Sequence, residues 1–176
     1  MRRIILLVEP ALADKEQLTA YRASFLEDNE TIHGGSGLET AETIEKWLEL
    51  QEAYKSPATV PASHVISRVY LAKQADTVIG ILNLRLELND YLLQQGGHIG
   101  YSVKKTYRQK GYGTAMLAQS LSIAKSFGIE KVLVTCDAHN QASAKVIEKN
   151  GGQLEDIWID PVNGNSTRRY WLSTNN

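Results

Sequence analysis

Apolar positions along this chain alternate between a period near four and a period of two. Residues 3–8 form a short β-branched and leucine run stopped by Pro10, which predicts a strand. Between 11 and 28, Leu12, Leu18, Tyr21, Phe25 and Leu26 recur near helical spacing. Between 39 and 54, Ile44, Trp47, Leu48 and Leu50 predict a second helix, with Thr40 as its cap. The interval 29–40 holds Gly34, Gly35 and Gly37 and predicts no regular element, and 56–61 is a connector with Pro57 and Pro61. Residues 62–72 and 77–88 read as strands flanking Lys73-Gln74-Ala75-Asp76, hence a hairpin. In the second of them, strict alternation places Ile79, Ile81, Asn83, Arg85 and Glu87 on one face, and Val78, Gly80, Leu82, Leu84, Leu86 and Leu88 on the other. The first of these faces turns polar toward its C-terminal end, which is unusual for a central strand.

The second half is more regular. After a loop or helical turn at 89–95 come a strand at 98–104, a helix at 111–127 stopped by Gly128, and the apolar run KVLVTCD at 131–137. That run suits a strand covered on both faces. A helix at 140–150 ends in Gly151-Gly152, and 153–160 and 167–173 pair across Asn163-Gly164, a strong turn signal. The order is β, α, α, hairpin, β, α, β, α, hairpin, which predicts an α/β domain with a mixed sheet. No repeat or linker divides it, so 1–176 reads as one domain.

Composition narrows the field. A chain of 176 residues buries a core without metal or disulfide staples, and 43% hydrophobic with 22% charged residues is ordinary for a globular protein. A net charge of −1 gives no basic field for nucleic acid. One cysteine, Cys136, excludes an intrachain disulfide framework and a cysteine zinc cluster, and no metal site is expected. No apolar run approaches a membrane span. The start MRRIILLVEP has a basic pair before a short apolar run, but it ends at Glu9-Pro10 without a small-residue cleavage site. It reads as a first strand, and a cytoplasmic location is the expectation.

Candidate chemistry concentrates at 96–127. Between strand and helix, Arg108, Gln109, Lys110, Gly111, Tyr112 and Gly113 spell Arg-x-x-Gly-x-Gly. Amides at such a turn and the positive end of the helix dipole form an anion site, and the glycines let backbone approach the anion. Met116 stands where a dinucleotide fingerprint needs its third glycine, and the Gly-Lys-Ser/Thr ending of an NTPase phosphate loop is absent.

This order, with Arg-x-x-Gly-x-Gly between its fourth strand and third helix, resembles the GNAT superfamily of acyl-CoA N-acyltransferases. The resemblance covers nearly the whole chain and is most specific at 96–127 and in VTCDAHNQASAKVIEKNGG. More narrowly, it extends to a bacterial group of predicted acetyltransferases with no established substrate. It implies a GNAT fold: a mixed, mostly antiparallel sheet of about seven strands, helices on both faces and a splayed central strand pair.

The resemblance also implies acetyl-CoA as co-substrate. The amides of Gln109, Lys110, Gly111, Tyr112, Gly113 and Thr114, beside Arg108, would hold its pyrophosphate. The pantetheine arm would run along Tyr101, Ser102 and Val103, with Asn140 in contact. Asn140 equally reads as a plain helix cap. Two departures stand out. Ile147 occupies the position where many members carry a Tyr that protonates the departing thiolate, and Gly152 replaces the usual aromatic after the final glycine. Ser143 matches a serine found near the sulfur in relatives that modify protein N-termini, and is a candidate acid as well as an ordinary helix-start residue.

The implied reaction is acetyl transfer from acetyl-CoA to a primary amine, on a small molecule or peptide, by direct attack. An amine with a pKa near 10.4 must first lose a proton, for which Glu87 and His98 are the candidates. A strand N–H near Val103 would meet charge on the thioester oxygen. His33 sits in the glycine-bearing loop, the region that often covers the acceptor in the family. Cys136, ending an apolar strand, reads as a buried hydrophobe before a nucleophile. The alternative is a non-catalytic acyl-CoA-binding sensor or partner module, which Ile147 keeps open. A homodimer is an expectation from the family alone.

Overall fold

The computed structural model describes residues 5–175. Residues 3 and 4 of the expected first strand lie outside the described residues. Seven strands form one sheet: β1 (Leu6–Val8), β2 (Ser67–Gln74), β3 (Thr77–Arg85), β4 (Ile99–Val103), β5 (Lys131–Asp137), β6 (Gln153–Ile159) and β7 (Ser166–Ser173). Their spatial order is β1-β2-β3-β4-β5-β7-β6. Neighbours are antiparallel except β4 and β5, which run parallel and match at one position, Ile99 opposite Val134. The central pair is therefore splayed.

Four helices cover the two faces: α1 (Lys15–Glu27), α2 (Ile44–Ala53), α3 (Tyr112–Ser126) and α4 (Gln141–Lys149). Tyr112, Met116, Leu117 and Leu121 of α3, with Ala144 and Ile147 of α4, pack on Leu82, Leu84, Ile99, Val132 and Val134. On the opposite face Leu18, Tyr21 and Phe25 of α1 and Ile44 and Trp47 of α2 cover Val69, Leu71 and Ile81. The 3.6-residue stripes of the helices and the alternation of the strands thus meet in two layers, each buried large side chain stabilising by roughly 1.5–3 kcal/mol.

The strict alternation expected for β3 fails at one residue. Ala72 faces Gly80 while Lys73 faces Val78, which leaves Ile79 as the extra residue of a bulge. Ile79 consequently joins Leu82 and Leu84 in the α3 layer, and Val78 joins Ile81 in the α1 layer. A one-residue slip exchanges faces, so the sequence pattern is right beyond Gly80 and inverted before it. Gly80 itself lies under α3, where a Cβ would come 2.7 Å from the Met116 sulfur.

Other boundaries move for local reasons. β2 begins at Ser67, five residues later than expected, because 61–64 closes a turn through His64 N–H to the Pro61 carbonyl. Thr43, not Thr40, caps α2, its hydroxyl oxygen accepting from Lys46 N–H at 3.1 Å; Thr40 belongs to a separate short turn, Leu38–Thr40. The segment before β4 is a wide helical turn, Leu92–Gly96, closed by Gly97 N–H to the Leu92 carbonyl at 2.6 Å.

Candidate active site

The splay exposes one edge of β4. Lys104 N–H donates to the Ile79 carbonyl and Arg85 N–H to the His98 carbonyl, so the even-numbered peptide groups of β4 bond toward β3, while His98 N–H, just before the strand, donates to the Leu133 carbonyl of β5. By the two-residue period the peptide groups of Ile99, Tyr101 and Val103 face the other way, toward β5. β5 meets β4 only at Ile99, so those of Tyr101 and Val103 face the opening between the strands. The Val103 carbonyl accepts from Arg108 Nε at 2.8 Å.

At the wide end of this opening lies the Arg-x-x-Gly-x-Gly turn. Gly111 adopts φ +86° and Gln109 φ +59°, a left-handed pair that swings the chain from β4 into α3. The first helical bond runs from Ala115 N–H to the Gly111 carbonyl, and no side chain caps the helix. The helix therefore supplies no acceptor for the Gly113 and Thr114 amides. A Cβ on Gly113 would meet Val146, Tyr101 and Val103 at 3.6–3.8 Å, ordinary contact, so packing within the chain does not demand glycine there. The turn's side chains are committed elsewhere. The Tyr112 ring is buried, edge-on to Tyr107 at 5.8 Å. Lys110 Nζ donates to the Thr106 carbonyl, and the Arg108 guanidinium pairs with Glu30 at 2.8 Å while lying over Phe25. Arg108 thus braces the turn against the end of α1 instead of extending its charge outward.

On the α4 side, Asn140 caps the helix, its Oδ1 accepting from Ser143 N–H at 3.0 Å. The Ser143 hydroxyl lies 3.2 Å from the Tyr101 hydroxyl. Burial raises the Tyr101 pKa, and the Ser143 bond offsets part of the rise. Ile147 is fully buried in the sheet-facing layer, and a Cβ on Gly152 would come 2.5 Å from its Cγ2. The two departures from the family pattern are thus one packing solution: Ile147 fills the space and Gly152 makes room for it. The hydroxyl that meets the first turn of α4 is that of Tyr101, from β4. Sequence reading gave Tyr101 a main-chain role and missed its side chain; the signal available was that odd-numbered β4 positions share the α3–α4 face.

The opposite face of β4 carries different groups. Ser102 has its hydroxyl 2.9 Å from the buried Tyr21 hydroxyl, so its side chain faces α1 and not the opening. The loop at 32–37 rests directly on β4: Gly34, at φ +77°, sits where a Cβ would be 2.3 Å from the Gly100 carbonyl oxygen. Beside this contact a cavity of about 350 Å³ opens, lined by Tyr54, His64, Asn83, Arg85, Tyr91 and Leu92 among others. Asn83 Oδ1 is buried there without a hydrogen-bond partner among the described residues. Arg85 Nη1 donates to the Gly96 and Gly97 carbonyls.

The expected proton acceptors are placed otherwise. His98 is buried, its Nδ1 accepts from Leu133 N–H at 2.9 Å, and its ring packs edge-on to Trp171. Burial, with a smaller push from Arg85, lowers its pKa to about 4. Such a histidine joins β4 to β5 and is too weak a base for an ammonium group at neutral pH. Glu87 is exposed beyond the end of β3 and does not line the cavity, and His33 is exposed on the glycine loop. Cys136 is buried, with its thiol pushed up to about 11, in keeping with the hydrophobe reading. Among the described residues no helix is long and apolar enough to cross a membrane, and no cluster of three metal-binding side chains occurs.

Comparison with known proteins gives the class. The Acetyltransferase (GNAT) domain family matches residues 5–153. The chain belongs to the GNAT acetyltransferase family. A curated relative, the uncharacterized N-acetyltransferase YycN of Bacillus subtilis (strain 168), is 37% identical over 57 residues, 32% of this chain and 36% of the relative. The match thus spans about a third of that relative's length. Among solved structures, mutant forms of the spermidine/spermine N-acetyltransferase SpeG of Vibrio cholerae superpose with a TM-score of 0.67 at 15% identity, over 97% of this chain and 94% of that one. An N-acetyltransferase from Staphylococcus aureus Mu50 gives 0.65 at 16% identity over 98% and 99%. The structure of yncA from Salmonella typhimurium with its cofactor acetyl-CoA gives 0.62 at 14% identity over 97% and 94%. At these identities the likeness is one of fold.

Proposed function

We propose that this chain is an acetyl-CoA-dependent N-acetyltransferase acting on a primary amine by direct attack. The observation that carries the reading is the β4–β5 splay, with an uncapped helix N-terminus at its wide end. The fit to an acyl-CoA is physical. The amides of Gly113 and Thr114 suit a pyrophosphate, and no Cβ at residue 113 obstructs its approach. The Tyr101 peptide group and the Val103 N–H, whose carbonyl is held by Arg108 Nε, are spaced to bond an extended amide-bearing arm as a further strand would. Acetyl-CoA supplies the activated thioester, and a structural neighbour of the same fold is described with it.

This chain's own residues then divide the work. The Val103 and Tyr101 amides stabilise charge on the thioester oxygen. The Tyr101–Ser143 hydroxyl pair stands in for the family Tyr as proton source to the leaving thiolate, and recovers that proton from the amine nitrogen as it is acylated. With a thiol pKa near 8.5, that group needs modest help to depart. Asn140 holds Ser143 in place from the helix cap. The names of the SpeG neighbours support an amine acceptor in general terms.

The test is Gly113→Asp. The site tolerates a Cβ, and a carboxylate in the first turn of a helix suits its dipole, so the fold stays intact. Calorimetry should then show acetyl-CoA affinity falling by about 100-fold or more through charge repulsion. Unchanged affinity with an unchanged melting temperature would remove the turn from the binding site.

A further inference from the structure

We infer that the acceptor carries an anionic group, a carboxylate of amino-acid type, which Arg85 binds in the cavity beside β4; this rests on the transferase reading above. Four observations converge. The cavity lining contains one fixed cation, Arg85, and no aspartate, glutamate or lysine. Arg85 makes no ion pair with any described carboxylate, although burial lowers its pKa. Among the described residues its side chain's hydrogen bonds run from Nη1 to the Gly96 and Gly97 carbonyls, which leaves the other edge of the guanidinium for a ligand. Asn83, two residues away on the same face of β3, is 6% exposed and has a buried Oδ1 with no donor.

A largely buried guanidinium without a counter-ion is costly, and it becomes favourable when a carboxylate completes the pair with two parallel bonds. An unpartnered amide oxygen beside it suits an N–H of the same ligand. The other basic side chains near the site show the contrast: Arg108 is paired with Glu30, and Arg169 on β7 with Glu155 and Asp156. Arg85 is kept unpaired where the cavity opens.

Position matters as much as charge. Arg85 Nη2 lies 3.3 Å from where a Cβ of Gly100 would stand, next along β4 from Tyr101, whose peptide group faces the splay. One residue of strand is about 3.4 Å, so the guanidinium stands about one strand residue from the Tyr101 peptide group, and a short acceptor can span the interval. A cavity of about 350 Å³ holds a small molecule of this kind. A polyamine, by contrast, would meet a cation and no anion. The chain shares its fold with spermidine acetyltransferases and lacks, in this cavity, the charge a polyamine needs.

The experiment uses matched acceptors with acetyl-CoA in a thiol-release assay: L-amino acids and β-alanine, the same compounds as carboxamides, spermidine, and phosphoethanolamine. A carboxylate member should exceed its carboxamide in kcat/KM by about tenfold or more. Arg85→Gln retains a donor for the Gly96 and Gly97 carbonyls, and should reduce that ratio to within about twofold while the KM for acetyl-CoA holds. Preference for carboxamides, spermidine or phosphoethanolamine overturns the inference, as does a carboxylate preference that survives in Arg85→Gln. Calorimetry of the same carboxylate and carboxamide probes decides the matter if no acceptor turns over: Arg85-dependent carboxylate binding sustains it, and its absence overturns it. Acetyl-CoA titrated separately reports on the transferase reading alone, so the two ideas fail in distinguishable ways.

Discussion

The hydroxyl groups of Tyr101 and Ser143 lie 3.2 Å apart and join β4 to the first turn of α4 across the mouth of the splay. Ile147, one turn further along α4, is by contrast fully buried in the sheet-facing layer. Because burial raises the Tyr101 pKa, the phenol remains protonated throughout the neutral range and well into alkali. In the proposed mechanism such a donor would serve the leaving thiolate without itself limiting the pH range of the reaction.

Tyr101→Phe and Ser143→Ala should each lower kcat by about 100-fold, the low end of the range for lost acid catalysis. The KM for acetyl-CoA should stay within about threefold, since Ser143 contributes its amide, not its hydroxyl, to the Asn140 cap. The double variant should lose little more than the worse single one, because the two act as a unit. Steady-state thiol release across the three variants checks this; a fall in acetyl-CoA affinity with kcat unchanged would leave the pair a binding role only.

His98 sets an acid limb on stability. Its pKa in the folded chain, about 4, lies below the ordinary histidine value of 6.5, so between those values the unfolded chain binds the extra proton. Stability from the neutral imidazole is complete above pH 6.5 and declines as pH falls to 4, by up to about 3 kcal/mol. His98→Asn keeps an acceptor near Leu133 N–H and cannot titrate. Urea melts at pH 7 and 4.5 should show the wild type losing more stability on acidification than the variant.

Gly34 tests the acceptor side alone. Its left-handed backbone and the 2.3 Å approach of a Cβ to the Gly100 oxygen mean that Gly34→Ala must lift the 32–37 loop from β4. Overpacking of this sort costs about 1–3 kcal/mol. The KM for the amine should rise about tenfold or more while calorimetric acetyl-CoA affinity is unchanged, because the loop lies on the face of β4 away from α3. Equal loss of both would mean that the loop supports the whole sheet.

The sequence announced the strand-turn-helix at 98–127 and the α/β order because each rests on local rules: glycines at left-handed positions, a continuous apolar run, periodic stripes. The chain then delivered Asn140 as a cap and Gly111 as the turn residue as read. What stayed hidden depends on partners distant in sequence. The Ile79 bulge arises from a register slip against Ala72 and Lys73, which alternation within one strand cannot reveal. His98 reads as a candidate base until Leu133 is seen to donate to it, 35 residues on. Arg85 shares with Glu87 a strand face that the sequence points toward the substrate cleft, but only the fold shows that Arg85 lines the cavity, Glu87 does not, and Arg85 has no ion pair among the described residues. Arg108 reads as a phosphate ligand from its turn, and its ion pair with Glu30, distant in sequence, shows only in the fold.

The single matched position between β4 and β5 makes the sheet two antiparallel blocks meeting at a seam, fastened by Ile99 opposite Val134 and by the His98–Leu133 bond. A ligand that pairs with Tyr101 and Val103 is then a structural member of the sheet. By mass action its concentration enters the folding equilibrium, adding about 2.7 kcal/mol at a hundred times its dissociation constant. Under the proposed function that ligand is acetyl-CoA, and its concentration would then set the stability of the chain as well as its rate.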